Sequence, residues 1–239
     1  MAHKKYLLGL DLGSSSVKAS LVHAESGEVA ASCFEPGTEM PIDSPEPGWA
    51  EQDPAMWWHY TVQAVHKLLT QVPDMKGEVE AIGISYQMHG LVMFDKAYEV
   101  LRPSIIWCDS RAVGAGEQIT DEISRDYAFS NLLNEPGNFT AAKLRWVKDN
   151  EPRIFEKSTS IGLPGDYLAY KLSGELCTTA SGLSEGIFWD YTHWQTSDKV
   201  VLATGVDSRI PELKPSFGLQ GLLTPTAAAE LGLSSGVPI

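Results

Sequence analysis

A mixed α/β fold whose sheet opens with a three-strand antiparallel meander is what this sequence predicts, on three observations. Three strand-like apolar segments within the first 35 residues are separated by turn chemistry alone, with no room for a crossover helix. Further along, short apolar runs of strand character alternate with stretches of helical period. No internal repeat, low-complexity tract or linker interrupts the chain, so residues 1–239 read as one domain.

The elements follow in order. Tyr6-Leu-Leu-Gly-Leu-Asp11 reads as a buried strand, Gly13-Ser-Ser-Ser16 as a turn, and Val17, Ala19 and Leu21 alternate along a second strand. Glu25-Ser-Gly27 turns the chain into a third strand, Val29 to Phe34. Five prolines between Pro36 and Pro54 exclude regular structure there. Asp53 then caps a helix with Pro54 at its first position. Trp57, Thr61, Ala64, Val65 and Leu68 form its apolar stripe, so Trp57 and Trp58 belong to the core rather than to a ligand platform. Strands over Ala81–Tyr86 and Leu91–Phe94 flank Gln87-Met-His-Gly90. Helices are expected from about Ser110 to Ile123, near 140–149 and 165–172, and from Thr226 to Leu231, with short strands near 177–188.

Bulk composition narrows the functional classes. Acidic residues outnumber basic ones by 31 to 18, for a formal charge of −13, which opposes unaided binding to nucleic acid or anionic lipid. Local backbone nests still allow an acidic protein to hold phosphates. Cys33, Cys108 and Cys177 have neither zinc nor Cys-x-x-Cys spacing and read as buried, reduced thiols. The first segment is too short for a signal sequence or a membrane span, so a cytoplasmic protein is expected.

Two places carry chemistry. In Asp11-Leu-Gly-Ser-Ser-Ser16, a strand ending in a carboxylate meets a hydroxyl-rich glycine turn. Gly13, Ser14, Ser15 and Ser16 can point N–H groups and hydroxyls at phosphate oxygens. Asp11 can hold Mg²⁺ there, directly or through water, and Lys18 can neutralise charge on a transferring group. The plainer alternative is an ordinary hairpin turn.

The second place is the pair Met88-His89, where His89 can exchange hydrogen bonds with a ligand hydroxyl and Met88 offers an adaptable apolar wall. Its alternative is a core methionine beside a satisfied histidine. Asp109, oriented by Arg111, can accept two ligand hydroxyls, or else it or Ser110 caps a helix beside a surface arginine. Asp166 and Asp190 read as structural.

Gly9-Leu-Asp-Leu-Gly-Ser-Ser-Ser-Val-Lys18 resembles the opening of the FGGY carbohydrate kinases, within the actin/Hsp70 ATPase superfamily. Gly48-Trp-Ala-Glu-Gln-Asp-Pro-Ala-Met-Trp-Trp58 and Ile84-Ser-Tyr-Gln-Met-His-Gly90 continue the likeness, the latter on the xylulose-kinase side of the family. Arg102-Pro-Ser-Ile-Ile-Trp-Cys-Asp-Ser-Arg111, Asn138 to Trp146, Leu163 to Leu168 and Thr178 to Ser184 follow in the family's order. Any one stretch is weak, and the ordered set covers nearly the whole chain.

The resemblance implies an actin-like ATPase (ribonuclease H-like) domain with helices on both faces of a mixed sheet. It also implies ATP and Mg²⁺ as cofactors, a ketopentose such as D-xylulose as substrate with Met88 and His89 at sugar-contacting positions and Asp109 and Arg111 beside it, and a homodimer for the full-length protein. It places the general base in a Gly-Gly-Gly-Asp-like segment of a second, nucleotide-binding lobe. No Gly-Gly-x-Asp occurs in this chain, and Gly236-Val-Pro-Ile239 reads as the start of an unfinished strand. The expectation is therefore an N-terminal, sugar-binding lobe, inactive on its own.

Overall fold

The computed structural model describes residues 5–239. Its opening is the expected meander: β1 (Tyr6–Leu12), β2 (Val17–His23) and β3 (Val29–Glu35) pair antiparallel in the order β3-β2-β1. After the two-residue β4 (Glu51–Gln52) comes α1 (Pro54–Gln71). Asp53 accepts the Ala55 N–H at 2.9 Å and Pro54 fills the first turn, so the cap forms as read from the sequence. The chain then returns as β5 (Val79–Tyr86), parallel to β1 and at its free edge.

The alternation within β1 and β2 decides which face is core. Leu8, Leu10, Leu12, Val17, Ala19 and Leu21 are buried against Trp57, Ala64, Val65 and Leu68 of α1. The opposite face carries Leu7, 41% exposed, with exposed Gly9, Lys18 and Ser32. No helix among the described residues buries it, so the expectation of helices on both faces is met on one. Glycine and serine at the outward positions leave too little apolar area to dock a helix.

The rest of the chain builds a second core beside the first. It comprises β6 (Val92–Phe94), β7 (Ser104–Ile105), α2 (Val113–Ile123), the single turn α3 (Arg125–Tyr127), α4 (Thr140–Asn150), α5 (Pro152–Lys157) and β8 (Ser160–Gly162). Then follow α6 (Pro164–Ser173), β9 (Cys177–Thr179), α7 (Ala180–Glu185), β10 (Trp189–Asp190), β11 (Gln195–Thr196), α8 (Asp198–Thr204), β12 (Glu212–Lys214) and α9 (Pro225–Leu231). Leu91, Met93, Ile119, Leu144, Val147 and Phe188 centre this core, whereas α6 and α9 pack with α1 in the first.

Two local expectations change, and one holds. The short strands near 177–188 reduce to β9, because Thr179 accepts the Gly182 N–H and starts a helix instead. Of the three cysteines only Cys177 is buried; Cys108 is exposed. Residues 237–239 do run as extended backbone, bonded to 220–223 and, through the Pro238 carbonyl, to the Ile82 N–H on β5.

Candidate functional site

Parallel pairing of β1 with β5 brings their C-terminal ends side by side, in register to Leu12 opposite Tyr86. The next residue, Gln87, donates its N–H to the Leu12 carbonyl at 2.7 Å. The Gly13–Ser16 turn and the Gln87–Gly90 turn therefore leave the same edge of the sheet. Gln52 ties them together: its amide donates to the Ser14 carbonyl at 2.7 Å, while its side-chain oxygen accepts from Trp57 Nε1 and from Gln87 Nε2. That oxygen is buried at 2% residue exposure, so the geometry of both turns depends on one amide.

Within the first turn, Gly13 N–H bonds back to the Ser16 carbonyl at 3.0 Å and is spent on the turn rather than offered outward. A Cβ at Gly13 would lie 3.1 Å from that same oxygen, which is the steric reason for glycine. Among the described residues, the N–H groups of Ser14, Ser15 and Ser16 have no backbone partner. Trp107 Nε1 donates to Ser14 Oγ at 3.2 Å. Asp11 stands opposite Lys18 on β2 and Ser85 on β5, with Lys18 Nζ at 3.1 Å and Ser85 Oγ at 3.3 Å from its two oxygens. All three side chains are accessible.

The second turn presents Met88, 53% exposed, and His89, half-buried. His89 has φ +60° and rests its ring edge-on against Phe139 at 4.1 Å between centroids. Burial lowers its pKa, the nearby Lys143 adds to that, and a bond to the Glu185 carbonyl opposes both. Behind the turn, burial pushes Lys143 down to about 8 and Glu185 up to about 7. Lys143 Nζ donates to the Asn138 carbonyl, and Asn138 Nδ2 donates to the Asp109 carbonyl.

Asp109 and Arg111 are placed differently from expectation. Asp109 is fully buried, and its carboxylate accepts from Ala50 N–H at 2.6 Å, from Arg111 N–H at 2.8 Å and from the Arg111 guanidinium. Arg111 lies over the Trp49 ring at 3.6 Å and pairs with Glu51 at 2.6 Å, which also holds Arg102. Both carboxylate oxygens are occupied, so in this geometry the pair braces the loop before α2 and offers no free acceptor to a sugar. The arginine is no surface residue either.

For a cofactor, the donor set is informative. No group of three or more His, Cys, Asp or Glu able to hold a metal exists among the described residues. One accessible carboxylate beside open N–H groups and hydroxyls fits Mg²⁺ that takes most of its oxygens from phosphate and water. Sequence reading missed Gln52, Trp107, Ser85 and Glu185. Only register along β1 and β5, and contacts over 38 to 96 residues of chain, reveal them.

Comparison with known proteins gives a family match over nearly the whole chain. Residues 6–239 match the family described as the FGGY family of carbohydrate kinases, N-terminal domain. A xylulose kinase of Klebsiella pneumoniae is 36% identical over 222 residues, which is 92% of this chain and 44% of that protein. A glycerol kinase of Thermococcus onnurineus is 28% identical over 91% of this chain and 44% of its own length. The crystal structure of xylulose kinase from Rhodospirillum rubrum superposes with a TM-score of 0.89 at 28% identity, covering 98% of this chain and 48% of that one. The chain thus spans about half the length of the curated relatives it matches.

Proposed function

The chain belongs to the FGGY family of carbohydrate kinases, and from that premise we propose that it supplies the sugar-seating and phosphate-cradling half of an ATP-dependent ketopentose kinase, acting on D-xylulose in the cytoplasm. The observation that carries the reading is the Gln87 N–H to Leu12 carbonyl bond, because it sets the serine turn beside the Met88-His89 turn. A phosphoryl donor and a sugar held at adjacent turns are pre-aligned for transfer, and alignment supplies much of the rate in phosphoryl chemistry.

Each residue has a role in this reading. Ser14, Ser15 and Ser16 hold phosphate oxygens through free N–H groups and hydroxyls, and Gly13 lets the turn close. Asp11 would hold Mg²⁺, which when bound offsets charge on the phosphates; Lys18 contributes a further positive charge. Met88 and His89 seat the sugar. Asp109 and Arg111 act one layer back, fixing the loop that carries Trp107 beside Ser14.

The complete gene product, given ATP and Mg²⁺, should phosphorylate D-xylulose in preference to ribulose, gluconate and glycerol. Asp11→Asn should lower turnover by about a hundredfold, the scale of one lost electrostatic contact in a transition state. Its stability should move by no more than about 1 kcal/mol, since Asp11–Lys18 is a solvent-exposed pair. A preference for glycerol would reassign the substrate within the family, and turnover untouched by Asp11→Asn would refute the phosphate site.

A further inference from the structure

His89 adopts a backbone conformation that something has to hold. Its φ of +60° lies in the left-handed region, which a residue with a side chain enters only at a cost. One residue, Glu185 at the end of α7, makes both of its polar contacts. The Glu185 carboxylate oxygen Oε1 accepts the His89 backbone N–H at 3.2 Å, and the Glu185 carbonyl lies 3.0 Å from Nδ1. A carbonyl oxygen can only accept, so Nδ1 carries the proton. Nε2 has no hydrogen-bond partner among the described residues, and Phe139 closes one side of the ring.

Resting on the sugar-kinase reading, we propose that Glu185 is a positioning residue for the sugar turn, fixing His89 as the Nδ1–H tautomer and thereby presenting Nε2 as a lone-pair acceptor. The group it recognises is a substrate hydroxyl, which donates its proton to Nε2. A ketose carbonyl or an ether oxygen has no proton to give and is rejected at that point, so the tautomer sets the orientation of the sugar. Burial and the Lys143 ammonium both favour an uncharged imidazole, as this role requires. Lys143 and Glu185 are the titratable groups acting on the ring.

The test is a long-range ¹H–¹⁵N correlation spectrum of ¹⁵N-histidine-labelled protein, with His89→Asn assigning the signal. A pyrrole-type Nδ1 and a pyridine-type Nε2 are expected. Glu185→Gln keeps both acceptors and should preserve the pattern. Glu185→Ala keeps the main-chain carbonyl that accepts from Nδ1 but removes the acceptor of the His89 N–H, so exchange of that amide should speed up by about tenfold, the scale of one hydrogen bond. An Nε2–H tautomer in the unsubstituted protein overturns the proposal, as does a His89 amide whose exchange Glu185→Ala leaves unchanged. Should Glu185→Ala not fold, the unsubstituted protein and Glu185→Gln still decide.

D-xylulose added to the same sample should shift Nε2 upfield. A tautomer held by Glu185 but unmoved by D-xylulose upholds the clip and counts against the xylulose reading. Conversely, a sugar-induced shift on an Nε2–H ring upholds the sugar site and removes Glu185 from it.

Discussion

Arg111 shows how far a residue's chemistry can be read without its surroundings. Its pairing with Asp109, two positions away, was legible, because an arginine after an Asp-x step can fold back on the carboxylate. Its burial was not, since the walls come from Trp49, Glu51 and Trp146, 35 to 62 positions away. Removing one partner from such a buried cluster leaves uncompensated charge. Arg111→Met should therefore cost about 3–5 kcal/mol in urea unfolding. Loss of sugar binding at unchanged stability would instead return Asp109 and Arg111 to the ligand role first expected of them. Asp11 and Lys18, by contrast, face each other through the antiparallel pairing of β1 with β2, only seven positions apart.

At the scale of elements, local signals were sufficient wherever the deciding contacts are close in sequence. The meander and the Asp53-Pro54 start of α1 rest on neighbours close in sequence, whereas β5 begins at Val79, two residues before the expected Ala81, where it pairs with the distant β1. The segment after Cys177 failed because a threonine cap and a β-branched strand look alike in sequence: Thr178 and Thr179 suit both. The start of α6 shows a further effect. Gly165 lies so close to Tyr86 that a Cβ would meet its ring at 2.1 Å, and this close approach seals Asp166 inside, where it accepts the Leu163 N–H at 2.9 Å.

Burial pushes the Asp166 carboxyl up to about 7 from 3.8, the Leu163 bond notwithstanding. The folded chain then keeps a proton that the unfolded chain releases. Asp166's contribution to stability is full below 3.8 and is lost as the pH rises through about 7. Asp166→Asn removes that titration. Urea unfolding at about pH 5 and about pH 8 should show the native protein losing stability relative to the variant at the higher pH. His89, whose lowered pKa gives the opposite slope, is common to both proteins and cancels. An identical pH slope for both would contradict a buried, protonated Asp166.

For the molecule as a whole, two cores share one purpose. The sheet with α1, α6 and α9 fixes the serine turn, and the second core with α2, α4 and α8 carries the Asp109 brace and the Glu185 clip up against the Met88-His89 turn. No helix among the described residues is long and apolar enough to cross a membrane. The accessible groups Asp11, Lys18 and Ser85 lie together on the sheet face that no helix among the described residues covers, at the same edge as the two turns. Order along the sequence hinted at this convergence; only the parallel β1–β5 register establishes it.

Amide shift mapping on ¹⁵N-labelled protein tests that convergence most directly. Two titrations are needed, one with D-xylulose and one with Mg²⁺ and ATP. Perturbations by sugar at Met88, His89 and Trp107, and by nucleotide at Ser14, Ser15, Ser16 and Lys18, are the result predicted. Shifts confined to other surfaces, or a serine turn indifferent to the nucleotide's phosphates, would contradict it.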